Sequence, residues 1–178
     1  MSDRAEAPSR TTTDDLLANN AAFVASEFGA TRAGCDISSP RPTRRTAVVT
    51  CMDARIDIFA VLGLHLGEAH LIRNAGGIVT DDVLRSLTLS QLRMGTREVL
   101  IAHHTDCGLR GLDDTAVADE LEAASGMRPP FAFGGFTDLD ESVRTSVAQV
   151  RAAAYLPHRD AIRGFVYEVA TGRLREVT

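Results

Sequence analysis

The chain has 178 residues, of which 44% are hydrophobic and 24% charged, with a formal net charge of −5. That is enough sequence for one buried core, in a composition that is neither disordered nor membranous. The acidic balance argues against nucleic acid, because phosphate binding needs a concentrated basic surface and Arg44, Arg45 and the scattered arginines do not form one.

Residues 1–12 read as a disordered tail, polar and without periodicity. A helix is expected from Asp14 to about Phe28, where Leu16, Leu17, Phe23, Val24 and Phe28 form an uneven apolar stripe that Gly29 ends. Thr31–Thr43, with Gly34, Pro40 and Pro42, reads as an extended connector. Thr46–Cys51 is a β-branched run suited to a buried strand, and Ile56–Leu62 a short helix closed by Gly63. Ala69–Arg73 gives a second strand. The helix at Asp81–Met94 is the clearest, with Thr80 as N-cap, Asp81 and Asp82 at the positive end of the dipole, and Gly95 as the stop. Glu98–His103 is a third strand. Ala116–Ala124 and Leu139–Ala153 are expected helices, separated by a loop through GMRPPFAFGG, and Arg163–Val169 is a fourth strand with a short final one after it. Strand–helix alternation predicts an α/β fold: a mostly parallel central sheet of four to five strands flanked by helices, in one domain over residues 13–178.

No stretch approaches the apolar length that crosses a bilayer, and the N-terminus is polar where a secretory signal needs an apolar run, so a cytoplasmic protein is expected. Three cysteines in a reducing compartment are not a disulfide framework. Their spacing is more informative. Cys51-Met52-Asp53-Ala54-Arg55 follows the first strand, and His104-Thr105-Asp106-Cys107-Gly108 follows the third. In open α/β sheets the ends of parallel strands open onto one edge, where ligands bind. Two thiolates and an imidazole are a recognised zinc set that leaves a fourth position for water, and sulfur donors disfavour magnesium, calcium and manganese. One zinc ion per chain is the expected cofactor. Because the two thiolates neutralise the metal, its bound water should ionise less readily than at a three-histidine site, predicting best activity at mildly alkaline pH.

On a continuing extended chain Cys51, Asp53 and Arg55 would face one side. A carboxylate there either closes the open metal position or pairs with the Arg55 fork, leaving room for water. His103 and His104, as strand neighbours, point to opposite faces, so only one reaches the metal. Blander readings exist for each group. Cys51 could be a core cysteine. The metal could be structural, with a fourth ligand from Cys35, His65, His70 or His103. Arg55 could be a surface ion-pair residue, and Asp106 a solvated turn residue. Gly76 and Gly77 could end a strand or let backbone line a small pocket. A thiol or zinc redox sensor using Cys51 and Cys107 is the alternative from another functional class, whereas a dinucleotide site lacks its glycine motif.

CMDAR, then GEAHLIRNAGG over Gly67–Gly77, then HHTDCG over His103–Gly108 resembles the β-carbonic anhydrase family, in that family's order. The likeness spans roughly Asp14 to Thr178 and is strongest from Arg45 to Gly111, and the chain is similar to the shorter actinobacterial members. It implies zinc on Cys51, His104 and Cys107, selecting His104 over His103, with Asp53 and Arg55 as a catalytic dyad. The implied reaction is reversible hydration of carbon dioxide to bicarbonate through zinc hydroxide. It also implies a homodimer or homotetramer in which the N-terminal helix wraps its partner. Gly76, Gly77 and Gly108 are candidate pocket residues, with Val48, Phe59, Ile72 and Ile78 as apolar neighbours. His103 stands where many members have glycine, and Gly77 where plant-type members usually carry asparagine. Carbonyl sulfide or carbon disulfide is accordingly the alternative substrate for the same site.

Overall fold

The computed structural model describes residues 11–26 and 39–178. The described residues fall into two units, 11–26 and 39–178. Within the first, helix α1 (Thr12–Ser26) starts two residues before the expected Asp14. A reciprocal cap explains this: the Thr11 amide donates to Asp14 Oδ2 at 2.7 Å, and the Asp14 amide donates to Thr11 Oγ1 at 3.2 Å. Leu16, Leu17 and Val24 of this helix are exposed. Nearly all of the expected tail, the Gly29 stop, most of the Thr31–Thr43 connector and Cys35 lie outside the described residues.

The second unit carries a five-stranded sheet in the order β2-β1-β3-β4-β5. The strands are β1 (Thr46–Cys51), β2 (Ala69–Asn74), β3 (Glu98–His104), β4 (Ile162–Glu168) and β5 (Arg173–Val177). β1 pairs in parallel with β2 and β3, β3 in parallel with β4, and only β5 runs antiparallel. Buried on both faces, β1 needs an unbroken apolar or hydroxylic run, and TAVVTC supplies it. The helices are α2 (Ile58–Leu62), α3 (Asp81–Met94), α4 (Asp114–Ser125) and α5 (Leu139–Ala152). Among the described residues, none is long and apolar enough to cross a membrane.

Two apolar clusters flank the sheet. The larger joins Ala47, Val49 and Ile101 to Val83 and Leu87 of α3 and Val143, Val147 and Val150 of α5. The smaller joins Val48, Ile56 and Ile58 to Cys51 and Cys107, with Leu109, Phe136 and Tyr167 packed against it. This second cluster houses the site. Ile72, expected beside the site, packs instead on the α3–α5 face, because its register partner is Val49 rather than Val48. Ile78 borders a cavity of about 450 Å³ shared with Phe136 and α5.

Candidate metal centre

β1 and β3 are adjacent in the sheet and parallel, so their C-terminal tips emerge side by side. Cys51 is the last residue of β1 and His104 the last of β3. The third strand therefore runs one residue further than expected, placing His104 on the ladder opposite Tyr167. The turn after it returns Cys107 to the same spot. One donor atom from each of Cys51, His104 and Cys107 lies within 4.8 Å of the others, and all three residues are buried.

The donor chemistry fits a metal. His104 Nδ1 lies 2.9 Å from the Thr105 carbonyl oxygen, a contact that places the ring proton on Nδ1 and leaves the Nε2 lone pair free. Nε2 is buried and has no hydrogen-bond partner among the described residues, an expensive arrangement that a metal would relieve. Burial pushes the Cys51 thiol up, but His104 beside it and the amides of Asp53 and Gly76 outweigh that, leaving it below its ordinary value. The Cys107 thiol is raised, first by burial and then by Cys51. No other described residue joins the group. His70 is engaged with Ser90 and the Pro40 carbonyl, so a four-ligand structural site finds no fourth donor among the described residues.

Asp53 and Arg55 meet, but not by strand alternation. The chain turns after Cys51, with the Ile56 amide donating to the Asp53 carbonyl at 3.1 Å. Across that turn Arg55 Nε donates to Asp53 Oδ1 at 3.0 Å and Nη2 to Oδ2 at 2.8 Å. The Arg55 amide adds a third bond to Oδ1 at 2.9 Å. These bonds hold the carboxyl well below the usual carboxylate range. Its Oδ2 lies 3.9 Å from His104 Nε2, beside the donor group and not within it.

Alternation separates the two histidines. His103 is fully buried, with Nε2 3.3 Å from Ser146 Oγ of α5 and its ring centroid 6.2 Å from that of Phe136. Burial pushes its imidazole down to about 4, so it is a neutral packed group. Gly76 and Gly77 are buried, and the Gly76 amide reaches the Cys51 thiol. A Cβ on Gly108 would meet nothing within 4 Å, so packing gives no reason for glycine there.

Two contributors escaped the sequence reading. Arg73 of β2 donates from Nε to the Cys51 carbonyl at 2.9 Å and from Nη2 to the Asp53 carbonyl at 2.7 Å. Asp106, read as a solvated turn residue, receives Arg55 Nη1 at 2.7 Å. It is exposed, yet it is also a partner. Only its position between two candidate ligands could have signalled this.

Sheet order and donor set together define a metal-binding α/β enzyme. Residues 46–127 match the family model described as carbonic anhydrase. The chain is 42% identical to β-carbonic anhydrase 1 of Mycobacterium tuberculosis, over 94% of this chain and 99% of the relative. It is 35% identical to a carbon disulfide hydrolase of an Acidianus strain, over 75% of this chain and 77% of that one. The crystal structure of carbonic anhydrase from Streptococcus mutans superposes with a TM-score of 0.83 at 38% identity, covering 95% of this chain and 99% of that chain. The chain belongs to the β-carbonic anhydrase family, a family of lyases.

Proposed function

We propose that the chain is a zinc enzyme that hydrates carbon dioxide reversibly to bicarbonate, with Cys51, His104 and Cys107 holding the metal. The observation that carries this is a buried three-donor group with a carboxylate beside it that is already committed to an arginine. When bound, zinc supplies the Lewis acidity that makes water nucleophilic near neutral pH. The protein supplies the rest. Asp53 Oδ1 is filled by two Arg55 donors, whereas Oδ2 takes one and keeps acceptor capacity on the His104 side. Oδ2 thus accepts a hydrogen bond from the attacking water and turns its oxygen lone pair toward the carbon. Arg55 keeps that carboxyl ionised. Val48, Leu109, Phe136 and Tyr167 make the surroundings apolar, which suits a small uncharged substrate. Gly76 and Gly77 bring backbone close to the Cys51 side of the pocket. Stopped-flow hydration by the wild type and Asp53→Ala tests this. We expect a fall of about 100-fold or more on losing an oriented acceptor, and an unchanged rate refutes the role of Asp53.

Carbonyl sulfide or carbon disulfide is the second reading, favoured by the 35% identity to a carbon disulfide hydrolase. Each presents an electrophilic carbon to the same centre, and pocket dimensions decide among them. Sulfide release measured beside hydration on one preparation separates the two. The mycobacterial relative aligns over 94% of the chain, which supports residues 13–178 acting as one zinc-binding domain. Exposed Leu16, Leu17 and Val24 on α1 support a homodimer or homotetramer, which light scattering tests. The free thiols of Cys51 and Cys107 suit the reducing cytoplasm.

A further inference from the structure

Arg55 is bonded along two edges of its guanidinium. Nε and Nη2 face Asp53, Nη1 donates to Asp106 Oδ2 at 2.7 Å, and Nη2 also donates to the Asp106 carbonyl oxygen at 2.9 Å. Asp53 belongs to the turn after β1. Asp106 belongs to the turn after β3, between His104 and Cys107. One guanidinium therefore spans the turns after β1 and β3, with four of its five N–H donors engaged within the protein.

Asp106 adopts φ 59°, a left-handed conformation that aspartate tolerates better than most residues but does not prefer. That conformation presents the carboxylate and the carbonyl of one residue to one guanidinium. An exposed ion pair alone would mean little, since the Asp106 side chain is 80% accessible. Two-point reception that includes a backbone carbonyl is a more specific arrangement.

We propose that Asp106 is a positioning residue. By anchoring the far end of Arg55 it fastens the Cys107 turn to the Asp53 turn, and so holds the ligands at their separation and keeps Asp53 Oδ2 beside the metal position. It touches no substrate. Arg55, held by both partners through four of its N–H groups, acts as a strut between the two turns. The inference rests on the metal-centre reading above, and its test is built to fail separately from it.

The test uses the zinc-loaded full chain with Asp106→Gly, Asp106→Asn and Asp106→Ala, each alone and Asp106→Ala also in an Arg55→Ala background. Readouts are the rate of zinc transfer to a chromophoric chelator, the cobalt(II) absorption spectrum, and kcat and KM for hydration. Glycine accepts φ 59° without strain and keeps the carbonyl, so a residue that served only the turn would be neutral or improved by it. The strut instead predicts zinc transfer faster by about 10-fold or more for all three, as for lost outer-shell partners. It also predicts an altered cobalt spectrum and a lower kcat with KM little changed. In the Arg55→Ala background Asp106→Ala should add nothing. Unchanged zinc transfer in Asp106→Gly, or an equal Asp106→Ala effect in both backgrounds, overturns the proposal. A preparation that hydrates nothing yet shows the coupling in zinc transfer sinks the proposed reaction and leaves the strut standing.

Discussion

Gly77 lies so close to Cys51 that a Cβ at position 77 would sit 2.7 Å from the Cys51 amide nitrogen and 2.8 Å from the Thr50 carbonyl carbon. Both are backbone atoms of a strand paired on both sides, so neither can yield cheaply. Gly77 also has φ 68°. Gly77→Ala should therefore cost about 3 kcal/mol or more in urea unfolding and displace Cys51 enough to lower zinc content. Gly95→Ala is the matched control. It too is left-handed, at φ 77°, but its Cβ meets nothing within 4 Å, and it should cost only about 1 kcal/mol with zinc content unchanged.

Arg73 joins β2 to the turn after β1 through the carbonyls of Cys51 and Asp53. Arg73→Met keeps much of the stem but removes both charge-assisted bonds. Zinc affinity, measured by chelator competition, should fall about 10- to 100-fold. Global stability of the apoprotein should change little, because the residue is exposed. An apoprotein that loses stability while zinc affinity holds would assign Arg73 to the sheet instead.

Chelation should lower the unfolding temperature of the wild type, since a ligand that binds only the folded state stabilises it by mass action. His104→Ala removes the imidazole donor from a buried three-donor group. Elemental analysis should find about one zinc per wild-type chain and little in the variant. The chelator should then leave the variant's melting curve unmoved. A chelator-sensitive His104→Ala would mean that the metal sits elsewhere.

Asp114 ties down the loop that returns to the site, accepting the Gly134 amide at 3.0 Å and the Gly135 amide at 2.8 Å. These bonds lower its folded pKa below the ordinary 3.8. Their contribution is fully present above that value and is lost as pH falls through the lower, folded one. Proteolytic nicking between Met127 and Phe133 should rise in that acid window. Asp114→Asn should show the faster nicking already at neutral pH, with little further change on acidification.

Much of this architecture is readable from the chain. β1 announces itself because a strand buried on both faces admits few residue types, and α3 because Thr80 and Gly95 mark both ends. α4 begins two residues before the expected Ala116 because Asp113 caps the Thr115 and Ala116 amides. The donors could be proposed from two short motifs because parallel strand tips share an edge. Arg73 and Asp106 were not legible in the same way. Their roles depend on which turn lies within reach of which guanidinium, and no periodicity encodes that. Ile72 was misplaced for a related reason, since the face it occupies is fixed by register with Val49 and not by its own neighbours.

The sheet order has a consequence for biosynthesis. β1 sits between β2 and β3, and Cys51 leaves the ribosome well before His104 and Cys107 are made. A nascent chain ending short of β3 owns one sulfur of the eventual set and no geometry to use it. The three donors are therefore assembled only once β3 has been made and laid beside β1, which makes this one strand pairing the step that creates the site.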